Sequence, residues 1–322
     1  MAFEESAITY QQLSDLEREF DDVETEISKL TVSQNRTVAP LHAPHFFEAP
    51  TRNALANITT TTTVRQQVLL TKPLFEKRTG VISQIPGFWP LVIEQAPPDI
   101  DEYIQPTDSA VLLTSLTSLS VSHFEVENGG DGDPRSVAIR FEFAENEYFE
   151  DRVIEKKFWY RRSLKDNWTG LVSEPVDIKW KEGKDLTEGL LGLAKAVWDE
   201  EQAAGANGAK AKGKPLTTKQ QALKARIDAT GLGGLSFFTW FGFRGDPISA
   251  EESRIATREE KDRRQRRAAG EEVASPTNNE EEEEEDEPEH LEIFPGGDQL
   301  ALAISDDLWP GAIKYFSKFA VD

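Results

Sequence analysis

Apolar positions near the start of the chain recur at helical spacing. Leu13, Leu16, Phe20, Val23 and Ile27 follow one another, and Asp15, Glu17, Glu19, Asp21, Asp22, Glu24 and Glu26 lie between them. This is an a/d seam with an acidic outer face, the pattern of a helix that packs along another helix. The pattern then breaks. Residues 28–63 hold Pro40, Pro44 and Pro50, eight threonines and one acid, and prolines at that density do not sit inside a helix. Helical sequence resumes at Val64 and runs to Gln84, with Pro73 as an internal kink or weak point. With residues 28–63 left out, Leu70 falls seven positions after Ile27, back in the seam. The spacing predicts one long helix over residues 1–84, carrying an insert that forms poorly packed coil. The alternative is two helices joined by an ordinary loop, although a structureless loop of that length is uncommon in a compact domain.

IPGFWP at 85–90 ends the helix, and an apolar turn follows at 91–95. DIDEYI and PTDSAVLLTSL read as short helices, the second started by Pro106 and Asp108. Strands come next. Leu119 and Val121 alternate with serines, and NGGDGDP makes a turn. Val137, Ile139, Phe141 and Phe143 alternate with Ala138, Arg140 and Glu142. Ile154, Phe158 and Tyr160 share one face of a further strand. After a turn around Asn167, Val176, Ile178 and Trp180 alternate with Asp177, Lys179 and Lys181. An antiparallel meander with one apolar face results, and helices must cover that face, so residues 85–322 form an α+β domain. Residues 185–204 read as a helix, 205–215 as a flexible basic linker and LTTKQQALKARI as a short helix. LSFFTWFGF is core. Residues 251–272 form a charged helix or a disordered segment, 271–290 an acidic loop, and the last stretch two helices split at Pro310.

Charge narrows the functional classes. The net charge of −22 is too acidic for a protein that grips nucleic acid phosphates directly, and it suits a basic partner. The chain has no cysteine, so disulfides, thiolate metal sites and cysteine nucleophiles are excluded. No signal region and no apolar run long enough for a bilayer are present, which predicts an intracellular protein. The sequons at Asn35, Asn57 and Asn167 are then chance matches. His42, His45, His123 and His290 show no ligand spacing on a shared helix face. No nucleophile, base, phosphate loop, metal or cofactor motif is legible, so no enzyme and no cofactor are expected. The run Glu280, Glu281, Glu282, Glu283, Glu284, Glu285, Asp286 and Glu287 is either a solubilising segment or an electrostatic bait for lysine- and arginine-rich partners. KDRRQRR reads equally as a nuclear import patch or as one face of a charged helix.

IPGFWP after a long helix, ENEYFEDRVIEKKF, IKWKEGKDLT, SFFTWF and DDLWPGAIKYF occur together and in this order. In this the chain resembles the nucleosome assembly protein family, in its SET or template-activating-factor branch, and most of all the fungal SET-like members that partner a histone acetyltransferase. The resemblance covers residues 10–27 and most of 64–319. It implies a homodimer joined by long antiparallel helices, each leading into an earmuff domain of antiparallel sheet backed by helices. It implies a nuclear histone chaperone without enzymatic activity, bound to core histones through the underside of the earmuff, where Trp180, Lys181 and Asp185 carry over. The seam residues Leu13, Leu16, Phe20, Val23, Ile27 and Leu70 then form the dimer interface. A regulatory scaffold for a histone acetyltransferase, or a phosphatase inhibitor, is the competing expectation. Two departures stand out. The family usually ends in a long acidic tail, whereas this chain ends in FAVD with its acid run further inside. Relatives also run through residues 28–63 as continuous helix.

Those residues invite a specific origin. Their charge, Lys29, Arg36 and Arg52 against Glu48, opposes that of the remaining chain. Degenerate codons permit a splice donor at Ser28-Lys29-Leu30, a branch-point-like sequence at Ala56-Asn57 and an acceptor at Thr63-Val64. Residues 28–63 are therefore read as translated intron, the rival being a genuine loop, which closes at a cost that grows slowly with length.

Overall fold

The computed structural model describes residues 2–37, 51–165, 168–204, 215–231, 233–268 and 291–319. The acidic loop of 271–290, its run of eight carboxylates, nearly all of the 205–215 linker and three of the four histidines lie outside the described residues. Contacts gather the chain into two units: residues 1–88, 123–137 and 257–273, and the remainder.

The first unit is built on helices α1 (Ala2–Thr37) and α2 (Thr51–Ile82). They run side by side. Phe20 meets Phe75 with ring centroids 5.0 Å apart, and Lys77 Nζ lies 2.6 Å from a Glu19 carboxylate oxygen. Leu13 and Leu16, on the Phe20 stripe of α1, are buried, as are Val68 and Leu74 of α2. The helix predicted for the first residues is present and longer than its seam. The coil expected at 28–63 is not observed where the chain is described: residues 28–37 continue α1 and 51–63 open α2. Pro40, Pro44 and Pro50 all fall between the two helices. The physical error lay in spreading their effect to both sides. Proline excludes helix locally, whereas threonine lowers propensity by only a fraction of a kcal/mol, roughly 0.7 at most. Pro73 is accommodated within α2.

A loop at 123–137 caps this unit. Arg65 donates to the Gly130 and Gly132 carbonyls at 2.8 and 2.7 Å, and Lys72 pairs with Glu127 at 3.1 Å. Glu125 folds the loop by accepting from the Asp133 N–H and the Ser136 hydroxyl. His123 Nδ1 lies 2.7 Å from the Pro134 carbonyl oxygen.

The second unit has α3 (Phe88–Glu94), α4 (Pro98–Asp101) and α5 (Pro106–Ser115), then a sheet of β1 (Leu116–Ser122), β2 (Val137–Phe143), β3 (Val153–Arg162) and β4 (Thr169–Ser173), ordered β1-β2-β3-β4. The β1–β2 and β3–β4 pairs are antiparallel, with Leu119 opposite Phe141 and Tyr160 opposite Leu171. The apolar turn expected at 91–95 belongs instead to helix α3. One predicted strand is corrected. Residues 176–180 join no ladder beyond a single Phe149–Trp180 bridge. Their Val176 N–H is taken by the Phe241 carbonyl, so this extended segment follows the aromatic block rather than the sheet. The fourth strand is β4, which follows the position of the turn expected around Asn167 and was not expected from the sequence.

Against the inner face of the sheet sits the 3₁₀ segment Phe237–Gly242. Phe141 touches Phe237, Trp240 and Phe241 at 5.8 to 6.2 Å, and Phe158 stacks on Trp240 at 5.3 Å. Asp108, fully buried at the start of α5, accepts from the Gln105 N–H, the Ser236 hydroxyl and the Phe237 N–H. Burial raises its carboxyl above the ordinary value, against these three hydrogen bonds. Helix α6 (Leu190–Ala204) packs on α7 (Thr218–Thr230) through Leu190, Ala194, Val197 and Leu223. A charged helix, α8 (Ala250–Ala268), follows. Helices α9 (Gly297–Leu302) and α10 (Ala312–Phe319) close the chain on either side of a π-type turn, as the Pro310 split predicted.

Candidate functional site

Two stretches singled out in the sequence, ENEYFED and IKWKEGKD, lie against each other. The Asn146 side chain folds the first by accepting from the Tyr148 and Phe149 N–H groups at 2.9 and 3.0 Å. The second then pairs with it. Glu150 N–H donates to the Lys179 carbonyl, Lys179 N–H to Asp151, and Lys181 N–H to the Tyr148 carbonyl, all within 2.9 Å. Each stretch supplies the other's backbone partners.

Trp180 is half-buried, its ring edge-on to Phe149 at 5.7 Å and to Phe238 at 5.6 Å. It anchors the second stretch on Phe149 of the first and on the aromatic block. Lys181 donates from Nζ to the Asn146 carbonyl at 2.6 Å, tying the two stretches together. Asp185 accepts from the Thr187 N–H, the Thr187 hydroxyl and the Gly189 N–H, and so shapes the left-handed turn at Glu188 and Gly189 that leads into α6. Each of the three residues is held in place by the fold.

The sequence did not mark the carboxylates around them. Glu145, Glu147, Glu150 and Glu182 are exposed, and Asp151 is half-buried. The Glu145 and Glu147 side chains are each 83% exposed. Among the described residues Arg152 lies 3.5 Å from Glu145 and Lys184 3.8 Å from Glu147, both loose pairs. A cavity of about 230 Å³ opens between Glu145, Glu150, Asp151, Arg152 and Lys181 over the Phe149 ring. The arrangement is a carboxylate-rich shelf beside the buried Phe149 ring, with Arg152, Lys181 and Lys184 among the carboxylates. It offers acceptors for ammonium and guanidinium groups, and among the described residues no cluster of ligand type holds a metal. The ENEYFED acids stand in the ENEYFEDRVIEKKF motif, but the sequence does not join them to a site, because their partner stretch lies some thirty residues on.

The seam residues are placed in the first unit. Leu13 and Leu16 are buried there, Phe20 lies on Phe75, and Val23, Ile27 and Leu70 are partly covered. The acid run 280–287 lies outside the described residues.

Residues 8–318 match the family described as "Nucleosome assembly protein (NAP)". The chain belongs to the nucleosome assembly protein family. A Schizosaccharomyces pombe protein named for nucleosome assembly is 37% identical over 132 residues, 38% of this chain and 52% of the relative. Protein SET of Drosophila melanogaster is 35% identical over 133 residues, 38% of this chain and 43% of the relative. The chain thus spans about half the length of the curated relatives it matches. A crystal structure of the Vps75 histone chaperone covers 83% of this chain and 94% of its own at 21% identity and a TM-score of 0.48.

Proposed function

We propose that this protein is a histone chaperone: it binds core histones through acidic surfaces and promotes their assembly into nucleosomes or their hand-over. The reading is supported by family membership over nearly the whole chain, and on the surface by the shelf of Glu145, Glu147, Glu150 and Asp151 beside Trp180. The physics is direct. Histone lysines and arginines collapse onto DNA because each contact releases counterions. A protein carrying −22 charges competes for the same cations and slows that collapse. Trp180, Lys181 and Asp185 act in this scheme by fixing the shelf. Transfer to a histone acetyltransferase, and action in the nucleus, are finer forms of the same proposal.

The test is capture of purified core histones across a salt series. Binding should fall steeply as salt rises. Replacing Glu145, Glu147 and Glu150 by glutamine should weaken it several-fold at low salt, since each exposed pair contributes about 0.2–1 kcal/mol. Binding that is indifferent to salt and to these substitutions would remove the shelf from the function.

A further inference from the structure

Three cations stand among the carboxylates of the shelf, and they are not equivalent. Lys181 lines the cavity, but its Nζ donates to the Asn146 carbonyl at 2.6 Å, a contact that ties one stretch to the other. Lys184 lies outside the lining, 3.8 Å from Glu147 and 5.5 Å from the centre of the Tyr148 ring. Arg152 differs from both. Its main chain is pinned, since its carbonyl accepts from the Phe143 N–H at 2.9 Å. Its side chain is 59% exposed, lines the cavity and reaches a Glu145 oxygen at 3.5 Å. Glu145 is itself 83% exposed, so this pair opens without breaking a buried contact. The other carboxylates of the cavity are better fixed. Glu150 N–H donates to the Lys179 carbonyl, and Asp151 accepts from the Lys179 N–H at 2.7 Å. The resident cation is therefore a guanidinium on a loose tether, set against carboxylates that stay where they are.

We propose that Arg152 is a tethered competitor: its guanidinium holds the Glu145 side of the cavity in the free protein, and an arginine of the basic partner takes its place on binding. The proposal rests on the histone-binding surface proposed above, and adds the side chain that surface takes and the group that holds it in check. Binding exchanges one guanidinium for another at Glu145. The displaced Arg152 side chain moves into water, where most of it already lies. A guanidinium carries its donors in a planar fork and serves two carboxylates at once, whereas an ammonium is a compact, strongly hydrated point charge. Arginine is therefore the better replacement in a cavity lined by Glu145, Glu150 and Asp151. Only the fraction of molecules with the Arg152–Glu145 pair open is competent, and apparent affinity falls by that fraction. For an exposed pair of this kind the reduction is about two- to six-fold.

The test is titration of the full chain with a fluorescently labelled oligo-arginine peptide and with an oligolysine of equal length, read by anisotropy. Arg152→Gln should tighten the arginine peptide about two- to six-fold, and oligolysine by less. The gain should depend on Glu145. In the Glu145→Gln chain nothing holds Arg152 over the cavity, so adding Arg152→Gln there should bring a much smaller gain, a coupling that the double-mutant cycle measures. Both side chains are exposed, so circular dichroism should show the same fold in every variant. Equal gains with and without Glu145 would mean that Arg152 acts only through its charge at a distance, and would overturn the proposal. So would an unchanged affinity after Arg152→Gln, or an equal gain for oligolysine. The peptide titration is separate from histone capture. A chain that captures no histones yet shows the Glu145-dependent gain would refute the chaperone function and leave the role of Arg152 standing.

Discussion

Lys156 lies on the core face of β3, between Ile154 and Phe158, and is fully buried. Strand alternation alone places it there, yet its meaning needed the structure. Its Nζ donates to the carbonyls of Glu174, Phe241 and Phe243 at 2.9 to 3.0 Å, fastening the sheet to the aromatic block. Burial lowers the amine from its ordinary 10.5 to about 7, opposed by the charges of Glu292 and Glu174. Two expectations follow from that. Lys156→Met should lose about 1–3 kcal/mol in urea unfolding, because the Phe243 carbonyl is left buried without this donor. The second concerns pH. Below about 7 the amine is protonated in both states and its burial cost is constant. Between about 7 and the ordinary lysine value the unfolded chain holds the proton and the folded chain does not, so this group adds stability as pH rises. The wild type should gain stability over that window relative to Lys156→Met. Parallel pH curves for the two proteins would refute the assignment.

Elements were legible where burial was one-sided. Strands β2 and β3 announced themselves through alternation, and the Pro106 and Asp108 signals marked α5 correctly. Strand β4 did not, because Leu171, Val172 and Ser173 are all buried and leave no polar face to alternate with. The segment at 176–180 alternates for a different reason: one side rests on aromatic rings while its backbone pairs elsewhere. Glycines report the same division between local rule and tertiary context. Gly130 sits under the Arg65 contact, and a Cβ there would come within 2.3 Å of the Glu125 carbonyl oxygen, a backbone atom that cannot swing aside. Gly80, inside α2, has open space where its Cβ would go. Gly130→Ala should therefore lower the melting temperature. Gly80→Ala should raise it, by the equivalent of about 0.5–1 kcal/mol, because alanine loses less backbone entropy in a helix. Calorimetry on the two variants checks the opposite signs. Shifts of the same sign would mean that the loop at 123–137 is not held as described.

At the scale of the whole molecule the governing quantity is charge, and here the sequence was the better guide, since net charge does not depend on fold. The acid run at 280–287 holds eight of the carboxylates in one unbroken block, while the shelf beside Trp180 presents a few carboxylates held by backbone hydrogen bonds between two stretches. The two should respond differently to salt. A dense block of like charge attracts a basic partner over a distance set by screening, about 10 Å at 0.1 M salt and about 3 Å at 1 M. Its contribution is to association rate and low-salt affinity. Fixed shelf contacts are short and keep more of their value when long-range attraction is screened. Replacing residues 280–287 by glycine and serine should therefore weaken histone binding most at low salt and flatten the plot of log affinity against log salt. The shelf contact should remain. Substituting Glu145, Glu147 and Glu150 in that background should then remove most of the residual high-salt binding. Affinity measured by fluorescence titration over the salt series separates the two contributions. An unchanged slope after loss of the run would make it a passive solubilising segment, and the shelf would then have to account for the whole interaction.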